Sequence, residues 1–184
     1  TTPINLFTEL ASRAIAWGNI TLVLSDERFV CSNHENSNER MLREQLLRNS
    51  AKSVCLISLI PRPGDARENI LIVNQSMVSI PKFDVVLLGM GDDAHTASLF
   101  PCAGELAHGL ETSKSALILK PKNAPHTRIS LSKRRLLNTR YGAIHIVGKA
   151  KKMVFDRVTA NPDIKKYPIT AFTGPEGFEC WWAP

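Results

Sequence analysis

An apolar run from Phe83 to Leu88 leads directly into Gly89-Met90-Gly91-Asp92-Asp93-Ala94-His95. Glycines let main-chain N–H groups approach an anion closely, and a carboxylate two residues before an imidazole can hold that ring for proton transfer. Two further runs of strand character end in comparable clusters. Ile20 to Leu24 ends in Ser25-Asp26-Glu27-Arg28, and Ala143 to Val147 ends in Gly148-Lys149-Ala150-Lys151-Lys152. The first cluster offers two carboxylates and a guanidinium, the last ammonium groups at a helix start. In an open parallel sheet all three would meet at one carboxyl edge, where such folds bind ligands. Together they describe a site for a small phosphorylated molecule with acid/base chemistry beside it.

Each piece also has a plainer reading. Gly89-x-Gly91 is compatible with a simple tight turn, Asp26-Glu27 with a solvated strand end, and Lys149 to Lys152 with an exposed basic helix start. His145 alternates with apolar neighbours and reads as structural, whereas His34, His108 and His126 fall in loop contexts. Asp92, Asp93 and His95 stand too close together on a tight loop to form a recognisable metal site, and no paired histidine spacing accompanies them. Neither metal nor cofactor is expected.

The elements that must position these groups alternate between strand and helix. Val54 to Ile57 is a short apolar run, Ala66 to Ser79 is helical in part, and Met153 to Thr159 continues the third cluster as a helix. Asn36, with Glu39 three residues on, has the form of a capping box before a helix reaching about Arg48. Thr96 to Phe100 is expected to make one or two helical turns before Pro101. Ala116 to Leu119 and Arg128 to Leu131 are candidates for a hairpin with a long connection. The fold class expected is α/β, a doubly wound, mostly parallel, Rossmann-like sheet with helices on both faces.

At 184 residues, with 43% hydrophobic and 22% charged, the composition excludes collagen-like, mucin-like and wholly disordered chains and suits a single domain over residues 1–184. No period of about 20–50 residues recurs, which excludes solenoids and propellers. The net charge of +6 favours an anionic partner. Nucleic acid is not the partner expected, because the basic residues do not alternate with aromatics in any recognised module. Cys31, Cys55, Cys102 and Cys180 contain no CxxC pair, so no zinc ribbon or disulfide scaffold is suggested and a reducing cytoplasm is the expected compartment. The apolar stretches fall far short of the roughly 20 residues that span a bilayer, and no signal leader is visible at the start. Trp181 and Trp182 suit either core packing or a contact surface.

With these residues assembled, the sequence resembles the 6-phosphogluconolactonase family, relatives of the glucosamine-6-phosphate isomerases/deaminases. Leu87-Leu88-Gly89-Met90-Gly91-Asp92-Asp93-Ala94-His95-Thr96-Ala97-Ser98-Leu99-Phe100-Pro101 is similar to the family segment LLGxGxDGHTASLFP. Asp26-Glu27-Arg28-Phe29-Val30 with Ser37-Asn38 resembles its DERxV…SN, Arg128-Ile129-Ser130-Leu131 its RIT(L/F), and Gly148-Lys149-Ala150-Lys151 its GxxK. Deaminases of the superfamily carry Asp-Glu-Tyr in place of Asp26-Glu27-Arg28, and a different run over Ala94 to Pro101, so the lactonase is favoured. A deaminase/isomerase and a non-catalytic phosphosugar sensor are the alternatives.

The resemblance implies 6-phosphoglucono-1,5-lactone as substrate and 6-phosphogluconate as product, a step of the oxidative pentose phosphate pathway. It implies His95 as the base that activates water, with Asp93 orienting it. Asp26, Arg28, Gly89, Gly91, Arg128 and Lys151, with Thr1 and Thr2, would bind substrate and phosphate. Two departures accompany the match. The family has Gly where this chain has Ala94, and if φ is positive there the added Cβ costs roughly 1 kcal/mol or more and works against activity. Thr1-Thr2-Pro3 aligns with the end of the family's SGG(S/T)TP loop, so the expected sheet lacks an N-terminal strand and helix.

Overall fold

Strands and helices alternate along the chain as its apolar runs dictate. The computed structural model describes residues 2–184. Its first half contains α1 (Ile4–Ala11), β1 (Thr21–Val23), β2 (Asp26–Arg28), α2 (Asn38–Gln45), β3 (Cys55–Ile57), α3 (Ala66–Val78) and β4 (Phe83–Gly89). The second half contains α4 (Leu106–Glu111), β5 (Ala116–Leu119), β6 (Arg128–Leu131), α5 (Lys133–Leu137), β7 (Thr139–Val147), α6 (Lys149–Ala160) and β8 (Glu179–Ala183).

Parallel pairing dominates among the described residues. β1 pairs with β3, and β7 lies between β4 and β8, all parallel; β6 pairs antiparallel with both β2 and β5. The fold is therefore α/β with a mostly parallel arrangement, its strands forming three sheets. β5 and β6 make the expected hairpin, in register Ala116↔Leu131 to Leu119↔Arg128. Asn74 of α3 pins that hairpin by accepting from Ala116 N–H at 3.0 Å and donating to Ala116 C=O at 3.0 Å.

The main core gathers Val86 and Leu88 of β4, Leu117, Leu119, Ile129 and Leu131 of the hairpin, and Ile144 and Ile146 of β7, with Val73 and Met77 of α3. A smaller cluster of Ala11, Trp17, Leu42, Leu46 and Ala51 joins α1 to α2. Removing such side chains from water supplies most of the favourable free energy of folding. Val85, on the opposite face of β4 from Val86, is exposed, as are Trp181 and Trp182 of β8.

Three local expectations are corrected. Thr96 to Phe100 is not helical: it turns tightly, with Leu99 N–H donating to Thr96 C=O at 2.9 Å and Ala97 at φ +48°. Side-chain bonds compete with the helical ladder here, since Thr96 Oγ1 donates to Gly89 C=O at 2.8 Å and Ser98 is held by other strands. Ser37 rather than Asn36 caps α2, accepting from Arg40 N–H at 3.1 Å, because the groups of Asn36 are engaged elsewhere. Glu39 does not close a capping box; it binds Arg43 and Ser58.

Candidate active site

β4 delivers the chain to Gly89, and the next six residues fold back on themselves. Gly91 N–H donates to His95 C=O at 3.0 Å, and Ala94 N–H to Gly91 C=O at 3.0 Å. A Cβ on Gly91 would stand 2.2 Å from Cε1 and Nδ1 of His95, so only glycine lets the imidazole fold over this turn. Ala94 takes φ +62°, the left-handed conformation that favours the glycine found in the resembling family, and its carbonyl accepts Ile169 N–H at 3.0 Å.

The His95 ring is fixed on two sides. Nδ1 lies 2.5 Å from Asp93 Oδ1, which also accepts His95 N–H at 3.1 Å. The ring stacks on Phe100 with centroids 3.8 Å apart and planes 23° apart. A carboxylate on Nδ1 selects the tautomer that leaves the Nε2 lone pair free to take a proton. Burial pushes the Asp93 carboxyl up, but its interactions with His95 outweigh this and hold it below the usual carboxylate value.

Arg28 and Arg128 face each other directly across the β2–β6 ladder. Arg28 Nη1 donates to Asn36 C=O at 2.6 Å and Arg128 Nη2 to Pro125 C=O at 3.1 Å. Both Nε atoms are buried without a hydrogen-bond partner, and neither guanidinium forms an ion pair among the described residues. Burial lowers the Arg128 pKa and the Arg28 charge lowers it further, against the opposing pull of Asp26 and Glu27. Two adjacent cations held only by main-chain carbonyls create a concentrated demand for an anion, and the guanidinium fork suits phosphate oxygens. Phe100 connects the two centres, since the Arg128 guanidinium lies 5.7 Å from the centre of the ring on which His95 stacks.

The other candidate residues divide. Asp26 Oδ2 accepts Ser98 Oγ at 2.6 Å, while Ser98 N–H donates to Ser130 Oγ at 3.2 Å, so Asp26 joins the turn after His95 to β2 and β6. Glu27 is not available to a ligand: buried, it accepts from the N–H groups of Arg28, Asn38 and Glu39 and from Ser37 Oγ at 2.6–3.0 Å. Lys151, in the first turn of α6, donates to Met90 C=O at 2.8 Å, bringing the β7 end to the β4 end as a common parallel edge requires. The Asp26–Arg28 cluster is itself a strand rather than a strand end; it reaches this edge through Ser98. Thr2 is partly buried before α1, with no hydrogen bond to these side chains among the described residues, and Thr1 lies outside the described residues.

Sequence reasoning passed over Phe100, Ser98 and Ser130 as individual actors, although the first two stand in the matched segment after His95. Among the described residues no group of three or more His, Cys, Asp or Glu side chains is arranged to hold a metal ion, and no helix is long and apolar enough to cross a membrane.

Known proteins resemble this chain in sequence and fold. A 6-phosphogluconolactonase from Pseudomonas putida is 32% identical, over 99% of this chain and 76% of its own length. One from Mesorhizobium japonicum is 33% identical, over 100% of this chain and 79% of its own length. The crystal structure of a 6-phosphogluconolactonase from Shewanella baltica superposes with a TM-score of 0.94 at 36% identity, covering 99% of this chain and 79% of that one. The sequence model of the glucosamine-6-phosphate isomerases/6-phosphogluconolactonase family matches residues 1–182, and the chain belongs to that family.

Proposed function

We propose that this protein hydrolyses 6-phosphoglucono-1,5-lactone to 6-phosphogluconate, with His95 as the general base. The observation that carries the reading is the pairing, through Phe100, of an imidazole whose Nδ1 is held by a carboxylate with two guanidiniums that form no ion pair among the described residues. The guanidiniums take the phosphate, and the lactone carbonyl lies toward His95. Support comes also from the names of the relatives that match nearly the whole chain.

The chemistry asks little beyond positioning. A lactone carbonyl is already electrophilic, so the site needs an oriented water, a base and donors for the developing oxyanion. His95 Nε2 accepts a proton as water attacks C1, forming the new C–O bond and a tetrahedral intermediate. The C1–ring oxygen bond then breaks, and the imidazolium returns its proton to that oxygen, leaving the open-chain acid. With the Gly91 and Ala94 N–H groups engaged inside the turn, the oxyanion takes its donor from the remaining amides of residues 89–94. Asp93 stabilises the imidazolium while it exists, and Lys151 fixes the turn from α6.

The test is continuous measurement of lactone opening above the spontaneous rate, with His95→Ala alongside. General-base assistance is worth about 10²–10⁴-fold, so kcat is expected to fall by that factor. A variant that keeps near-normal kcat removes His95 from the mechanism. Wild-type protein that binds 6-phosphogluconate without hastening the reaction is a sensor instead.

A further inference from the structure

His126 is one of four non-glycine residues with positive φ among the described residues, at +70°. It stands in the loop between β5 and β6, two residues before Arg128. A left-handed histidine is strained, and such strain persists where surrounding contacts hold the side chain in place. Here the contacts are to the loop that carries Asn36. Asn36 Nδ2 lies 3.4 Å from His126 Nε2, and an amide nitrogen only donates, so the ring nitrogen accepts. Asn36 N–H donates to His34 Nδ1 at 3.0 Å, and the two imidazoles meet edge to face with centroids 5.7 Å apart.

Asn36 is therefore the hub of a clasp: its carbonyl holds Arg28 while its amide holds His126. At their roots the two loops share the bond from Phe29 N–H to Thr127 C=O, 2.7 Å; beyond it the clasp joins them. Arg28 hangs from a carbonyl of one loop and Arg128 from Pro125 C=O of the other, so the separation of the loops sets the separation of the guanidiniums. Two like charges tend to swing apart, and a bidentate grip on one phosphate requires that they do not.

We propose that His126, acting through Asn36, is a positioning residue that fixes the spacing of Arg28 and Arg128 and so sets the preference for a phosphorylated over an unphosphorylated lactone. This rests on the reading of the arginine pair as the phosphate site. The test compares wild type, Asn36→Ala, His126→Asn and the double variant on 6-phosphoglucono-1,5-lactone and on glucono-1,5-lactone, with inorganic phosphate as competitive inhibitor. Asparagine tolerates the left-handed backbone, so His126→Asn keeps the fold while falling short of Asn36.

Each single variant is expected to raise KM for the phosphorylated lactone, and the inhibition constant of phosphate, about three- to tenfold, with kcat held within about twofold. Turnover of glucono-1,5-lactone stays at the wild-type level, and the double variant goes no further than either single one. Equal losses on both lactones, single effects that multiply, or an unchanged KM overturn the clasp. If wild type opens neither lactone, the proposed function fails, and calorimetric titration with phosphate then decides the clasp alone: a Kd unchanged in Asn36→Ala overturns it.

Discussion

Ala94 carries a methyl group where the backbone is suited to none. Its φ of +62° places Cβ against the carbonyl that follows, a cost of about 1–2 kcal/mol per residue in the left-handed region. Ala94→Gly is expected to stabilise the protein by about 1 kcal/mol, raising Tm by about 2–4 °C, and to leave kcat at or above the wild-type value. Thermal denaturation and lactone hydrolysis check both; a lower Tm would mean that packing of the buried methyl outweighs the strain. The need for a positive φ here was legible because the matched segment has glycine at this position. The Asp93–His95 pair was legible for the related reason that its members lie two residues apart. The partner of Asp26 was not: Ser98 stands 72 residues away, and nothing in a serine's neighbours tells which strand its hydroxyl will meet. The clasp was hidden in the same way, its histidines reading as ordinary loop residues until the fold brought Asn36 beside His126, 90 positions further along the chain.

Among the elements, those dictated by apolar runs were legible: β4, β7 and the β5–β6 hairpin follow from their apolar runs and flanking turns, whereas α3, weakly patterned, was legible only in part. The polar triplet Asp26-Glu27-Arg28 reads as the end of a strand, yet it forms β2 because β6 offers it a complete edge, in register Asp26↔Ser130 to Arg28↔Arg128. That pairing aims Arg28 at Arg128 and turns Glu27 toward the start of α2. The Glu27 carboxylate there takes the place of a cap for two N–H groups of the helix start, and its charge suits the positive end of the helix. Burial outweighs the hydrogen bonds from Asn38, Glu39, Arg28 and Ser37 and holds its pKa above the ordinary carboxylate value. Glu27→Gln puts an amide donor against those donors and is expected to cost about 2 kcal/mol, read as a fall in Tm of about 4–8 °C. An unchanged Tm would mean that Glu27 already carries a proton in the folded state.

For the whole molecule, the charge of +6 already hinted at an anionic ligand, but only the fold shows that Arg28 and Arg128 stand side by side with no ion pair among the described residues. The same excess governs the response to acid. Protonating the five histidines adds positive charge to a cationic protein, a diffuse repulsion that added salt screens. His145 contributes differently. It sits in β7 between β4 and β8, opposite Gly89 and Trp181, and burial holds its pKa below the ordinary 6.5. Below pH 6.5 the unfolded chain therefore takes up a proton that the folded chain refuses until its own lower pKa is reached. More protons bound by the unfolded state mean that stability falls as pH drops through this window and levels off below the folded pKa. His145→Gln is expected to lose less Tm than wild type between neutral pH and the lower end of that window, and the difference should persist in added salt, because it arises from burial rather than long-range repulsion. Parallel Tm curves for the two proteins would assign the acid sensitivity to the net charge alone.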